Sequence, residues 1–160
     1  MSRASEIIKL LKLEVHPEGG CFNEVFRSDL IIHSPRVRAR RHAMTDIYFL
    51  LTDGQFSRFH RVHHDELWNF YEGSPLQLYD YDPTADVLHT IILGPLSDSN
   101  TYKYVVSADH WQAATPTGQY SLVGCTVAPG FDFRDFTLLK RNSSDCKRLL
   151  SSHPKLSKFV

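Results

Sequence analysis

Apolar residues recur along this chain mainly at every second position, in short runs separated by turn formers. Only near the two ends does the spacing become helical. Ile7, Ile8, Leu10 and Leu11 form one stripe with Glu6, Lys9 and Lys12 elsewhere, which predicts a helix over residues 3–13 capped by Ser2 or Ser5. The HPEGG stretch, His16 to Gly20, then turns the chain. Period-two or continuous apolar runs over residues 21–28, 46–52, 56–62, 67–71, 76–82, 87–93, 102–107, 111–114 and 120–127 predict strands. Phe131, Phe133 and Phe136 come close to the same alternation in a last strand. The tail, residues 140–160, is rich in Ser and Lys, with one helical patch over 145–150 and an expected loose end. Many short strands with helices only at the ends imply an all-β sandwich or barrel. With no internal repeat and no linker, residues 1–160 read as a single domain, its core at about residues 13–138.

Composition narrows the function classes. Hydrophobic residues make up 42% and charged residues 22% of the 160, and the formal net charge is zero. No overall field draws the chain to nucleic acid or to an acidic membrane. No apolar run approaches the length of a membrane span, and no secretory signal is evident. Three irregularly spaced cysteines, Cys21, Cys125 and Cys146, read as reduced thiols rather than a zinc motif, which points to the cytoplasm. The basic run Arg36 to Arg41, RVRARR, has the composition of a phosphate-binding or nuclear-targeting segment, but it reads first as an exposed loop with solvated charges.

The chemistry gathers in SRFHRVHHDELWNFYEG, Ser57 to Gly73. Three histidines, His60, His63 and His64, precede Asp65 and Glu66, and the aromatic residues Trp68, Phe70 and Tyr71 follow. Apolar walls beside a few placed polar groups suit a small-molecule site. Strand parity puts Arg58, His60 and Val62 on one face, and Glu66, Trp68 and Phe70 on one face of the next strand. If both faces point inward, His60 and Glu66 meet. Glu24 stands between Phe22 and Phe26 and is either a buried acid facing a pocket or a solvated one; the alternation alone leaves both open. The remaining histidines, His16, His33, His42, His89, His110 and His153, are isolated in sequence and read as surface or capping residues.

His60, Glu66 and Gly73 resemble the first cupin motif, G-x5-H-x-H-x3,4-E-x6-G, and the segment Ser107 to Gln112 stands where the second, P-x-G-x2-H, is found. More closely, the chain resembles the cupin 5 subfamily, a domain of unknown function. The resemblance lies in HPEGG, in YFLL at Tyr48 to Leu51, in FHRVHHDELWNFYEG at Phe59 to Gly73, in WQAA at Trp111 to Ala114, and in SLVGCTVAPGFDFRDF at Ser121 to Phe136. It implies a double-stranded β-helix, or jelly roll, with short flanking helices and a homodimer joined through edge strands. It also implies a metal site of three histidines and one glutamate, but Val62 and Gln112 occupy two of the histidine positions. No tightly bound metal is therefore expected; a metal that did bind would use His60, Glu66 and His64. The cofactor is left unknown. The reading expected for the site is a metal-independent isomerase or epimerase acting on a polar or sugar-like small molecule, with His60 as base and Glu66 as its orienter. Glu24, Tyr48, Trp68, Phe70 and Gln112 are the expected ligand contacts. The alternatives are a non-catalytic small-molecule-binding dimer and a metal-dependent cupin enzyme with a reduced ligand set. Neither nucleic acid nor membrane is expected as a partner.

Overall fold

A computed structural model describes residues 2–160. Helix α1 (Arg3–Leu10) starts at Ser2, whose hydroxyl accepts the Ser5 amide. The strands follow: β1 (Glu14–Val15), β2 (Cys21–Arg27), β3 (Ile31–Ser34), β4 (Ala39–His42), β5 (Thr45–Thr52), β6 (Ser57–Arg61), β7 (Asp65–Gly73), β8 (Leu76–Asp82), β9 (Val87–Leu93), β10 (Lys103–Val106), β11 (Trp111–Pro116) and β12 (Tyr120–Ala128). A 3-10 turn (Phe133–Asp135), strand β13 (Thr137–Leu138), helix α2 (Ser144–Ser152) and a 3-10 segment (Pro154–Phe159) complete the chain. Among the described residues no helix is long and apolar enough to cross a membrane.

Two antiparallel sheets carry the architecture. One has the order β1-β2-β5-β12-β7-β10, the other β13-β6-β11-β8-β9, and β3-β4 is a separate hairpin. Consecutive strands β5 to β8, and again β9 to β12, alternate between the two sheets, which is the winding of a jelly roll. Phe49, Leu51, Trp68, Leu76, Leu78, Val123 and Cys125 fill the space between the sheets.

Each sheet is also covered from outside. Leu50 and Leu122 of the first sheet pack beneath Ile7 of α1 and Leu13. Phe59, Tyr81, Trp111 and Ala113 of the second pack beneath Cys146, Leu149, Leu156 and Phe159. Double covering explains why YFLL is continuously apolar: Leu50 serves one side of β5 while Phe49 and Leu51 serve the other.

Three expectations from the sequence are revised here. The tail is not loose: Phe159 is fully buried, edge-on to Phe56, Phe59 and Tyr79. The basic run is a solvated loop only in part: Arg36, Arg38 and Arg40 are exposed, but the run continues into strand β4, and Arg41 is buried with Asp135 in a two-pronged ion pair of 2.7 and 2.6 Å. Phe133 lies in a 3-10 turn rather than a strand, because Asp132 accepts the Arg134 amide and Asp135 is held by Arg41.

Replacing Phe159 by Ala removes a buried ring that anchors the tail. The expected loss is about 3–5 kcal/mol, read as a lower denaturant midpoint at unchanged slope in urea unfolding.

Candidate active site

The interior opens at one end of the barrel into a cavity of about 310 Å³. Its polar groups are His16, Glu18, His60 and Glu66, all at most 7% exposed, with Glu24 and Arg27 at the same cavity. Phe22, Ile47, Phe49, Val62 and Val127 supply apolar wall.

His60 and Glu66 come from opposite sheets, β6 and β7, and face this one space. Their hydrogen bonds go elsewhere. The Glu66 carboxylate accepts from the Gln112 amide at 2.5 Å, and the Gln112 carbonyl accepts from the Trp68 indole N–H at 2.8 Å. The indole thus fixes which end of Gln112 meets Glu66. The carboxyl group touching His60 belongs to Glu18, with Oε2 3.1 Å from Nε2.

The hydrogen bonds define the protonation pattern. His60 Nδ1 faces the Arg58 carbonyl oxygen at 2.8 Å, so Nδ1 carries a hydrogen. Ser57 donates its hydroxyl to Glu18 Oε1 at 2.7 Å, which makes that oxygen an acceptor. The remaining contact, Glu18 Oε2 to His60 Nε2, then needs one proton between its two atoms. The Glu18 amide donates to His16 Nδ1 at 3.2 Å, placing the hydrogen of a neutral His16 on Nε2.

Burial governs the titration. It pushes both Glu18 and Glu66 up to about 7, overcoming hydrogen bonds from Ser57 and from Gln112 and Cys125. Each carboxyl is thereby held near the point where it can take or give a proton. Burial also pulls His60 and His16 below the ordinary imidazole range, although Glu66 opposes this at His60 and Glu18 at His16.

The HPEGG turn delivers Glu18. Its carbonyl accepts the Arg58 amide at 2.9 Å, and the Arg58 guanidinium donates to the Pro17 carbonyl at 3.1 Å, so the turn lies along β6. Gly19 has φ +115°, and a Cβ there would strike the Phe56 carbonyl oxygen. Over the cavity, the segment 129–136 forms an aromatic roof: Phe136 stacks on His60 at 5.4 Å between ring centres, and Phe133 on His16 at 6.2 Å. Phe131 meets Phe133 edge-on at 4.9 Å.

Residues 5–139 match the Cupin_5 family, described as Cupin superfamily (DUF985). The chain belongs to this cupin family. Two solved structures are similar over nearly the whole chain. A hypothetical protein from Leishmania major has a TM-score of 0.83 at 33% identity, covering 96% of this chain and 94% of its own. A protein from Shewanella oneidensis has a TM-score of 0.82 at 34% identity, covering 100% and 96% respectively. A cupin-2 domain protein from Rhodospirillum rubrum, at TM-score 0.59 and 12% identity over 92% of this chain and 85% of its own, shares the fold alone. No curated protein matches the chain.

The three-histidine, one-glutamate metal set of cupins does not fit the residues of this family member. Val62 offers no donor, and Gln112 is engaged between Glu66 and Trp68. His64 turns away to the Ser34 hydroxyl at 2.7 Å, outside the residues that line the cavity. Among the described residues no group of three or more His, Cys, Asp or Glu side chains is arranged to hold a metal ion.

The remaining sequence candidates divide. Glu24 lines the cavity but is half-exposed and ion-paired with Arg27 at 2.6 Å. A bulge between Glu24 and Phe26 re-phases β2, so Arg27 rather than Phe26 joins Phe22 and Glu24 at the cavity. Trp68 and Gln112 are buried behind Glu66, and Phe70 packs against the core between the sheets. Tyr48 points the other way, against Tyr71 and the underside of α1. His16 is a cavity residue, contrary to its expected surface role, and Glu18 was not singled out at all. The available signal for both was HPEGG itself, which puts an acid and an imidazole two residues apart in a tight turn.

Raised carboxyl values carry a sign. Glu18 and Glu66 bind protons more tightly folded than unfolded, so their contribution to stability is full below the ordinary glutamate value. It is lost as pH rises from about 4.5 through about 7. The two buried histidines act oppositely, losing stability as pH falls through and below their ordinary range. Glu66→Gln keeps an acceptor for Gln112 but cannot ionise. In urea unfolding across pH 5 to 8 its stability is expected to fall less with rising pH than that of the wild type.

Proposed function

We propose that this cupin binds a small polar carbonyl compound in the barrel cavity and moves a proton between adjacent atoms of it, as an isomerase or epimerase does. The observation supporting this reading is the pair of buried carboxyl groups, Glu18 and Glu66, both held near 7 in one cavity with His60. Two such groups can act in opposite senses, one as base and one as acid.

Glu66, ionised, takes the proton from the carbon beside the carbonyl. Glu18, held by Ser57, turns the proton it shares with His60 from Nε2 to the carbonyl oxygen. The C–H bond breaks, an O–H bond forms, and the product is an enediol. Glu66 then returns its proton to the neighbouring carbon while the hydroxyl on the original carbon gives its proton to Glu18, which isomerises the compound and restores both carboxyl groups. Return of the proton to the opposite face of the original carbon, with the new hydroxyl's proton going back to Glu18, epimerises it. No electron donor or acceptor is needed. Gln112 and Trp68 are positioning residues for Glu66, and His60 is the proton partner of Glu18. The phenylalanine roof keeps water from competing for the enediol.

The test is solvent exchange in deuterium oxide over a panel of aldoses, ketoses and hydroxyketones, followed by NMR and mass spectrometry. Deuterium is expected at the carbon beside the carbonyl, and Glu66→Gln and Glu18→Gln should each slow its appearance roughly 100-fold or more. Binding without any deuterium uptake, or an unchanged rate in Glu66→Gln, overturns the assignment.

A further inference from the structure

Beside the barrel cavity lies a second recess of about 280 Å³ with a different character. Arg27, Arg40, Arg41 and Arg134 line it with His42, and Asp132 is its one lining carboxylate. Arg27, Phe131 and Asp132 line both spaces, so the recess continues from the cavity where the carbonyl end is placed.

The four arginines are not equivalent. Arg41 is spent: its guanidinium grips buried Asp135 and donates to the Arg40 carbonyl. Arg27 and Arg134 pair with near neighbours in the chain, Glu24 and Asp132, through partly exposed contacts. Both pairs are two-pronged, at 2.8 and 2.6 Å for Arg27 and 2.9 and 2.6 Å for Arg134, and their exposure leaves them screened by solvent. Arg40 is exposed and has no ion pair among the described residues. Counting the paired acids Glu24 and Asp135 as well, four guanidiniums face three carboxylates. One positive charge is left over, centred on Arg40. A guanidinium cluster with a free fork is suited to the planar or tetrahedral oxygens of an anion.

We propose that this recess holds a terminal oxyanion, phosphate or carboxylate, of the same small molecule whose carbonyl end occupies the cavity. The ligand class is thereby narrowed to acidic derivatives of polar carbonyl compounds; only the placement of the carbonyl end rests on the reading above. Arg40 and Arg134 bind the anion, and Arg27, at the junction, exchanges Glu24 for it.

The experiment titrates inorganic phosphate and acetate separately into the full chain by calorimetry, with NMR of the arginine side chains. Saturable one-to-one binding that perturbs Arg40 is expected, weakened roughly ten-fold in Arg40→Gln and in Arg134→Gln, as loss of one charge-assisted bond implies. Saturation by phosphate alone assigns a phosphate ester, and saturation by acetate alone a carboxylate. No saturation by either, or binding indifferent to both substitutions, overturns the proposal. Because no turnover is read, deuterium exchange without anion binding removes only the recess, and anion binding without exchange removes only the proton transfer.

Discussion

A carboxyl group and an imidazole that are both shut away from water must settle where one proton lies between them. That constraint, at Glu18 Oε2 and His60 Nε2, shapes much of the surrounding structure. The Arg58 carbonyl fixes one nitrogen of the ring as a donor, and the Ser57 hydroxyl fixes one carboxyl oxygen as an acceptor. Only the 3.1 Å contact is left for the shared hydrogen. Glu66 adds a second carboxyl within the same low-dielectric space; burial raises the cost of ionising both, and the Glu18 charge adds to it at Glu66. Their titration belongs to the group rather than to either residue.

Keeping these groups dry falls to elements far from them in sequence. The sheets alone would leave the outer sides of β5 and β11 to solvent; α1 and the C-terminal segments cover them. The N-terminal helix therefore protects the strand carrying Phe49 into the cavity, and Phe159 protects the β6 strand that carries His60. Packing on the outside sets the polarity within, and polarity within sets the titration.

The strands were legible because half-buried strands write their faces into sequence, and the terminal helices because their apolar stripe has helical spacing; the jelly-roll winding came from the resemblance to cupins. That the faces of His60 and Glu66 point inward came from the same resemblance; which residues share those faces was legible in the alternation. Tyr48 was not: in a strand apolar on both sides, alternation tells two faces apart without saying which is inside. Glu24 was ambiguous because a bulge after it shifts the register, and nothing local marks a bulge. Glu18 sits in a turn that reads as solvent-exposed until β6 is laid alongside it. Arg41 looks like its neighbours in RVRARR; only Asp135, 94 positions away, buries it.

That last ion pair has a mechanical meaning. The β3-β4 hairpin is hydrogen-bonded into neither large sheet. The roof segment contains Asp135, and the hairpin contributes Arg41 and Ser34, the latter reaching His64. Lifting the roof alone would strand a buried guanidinium without its counter-charge, a heavy penalty. Hairpin and roof are thus coupled through one buried ion pair, which ties the local stability of each to the other. The barrel cavity and the arginine-lined recess share Arg27, Phe131 and Asp132, so loss of the coupled hairpin and roof would open both spaces to solvent together.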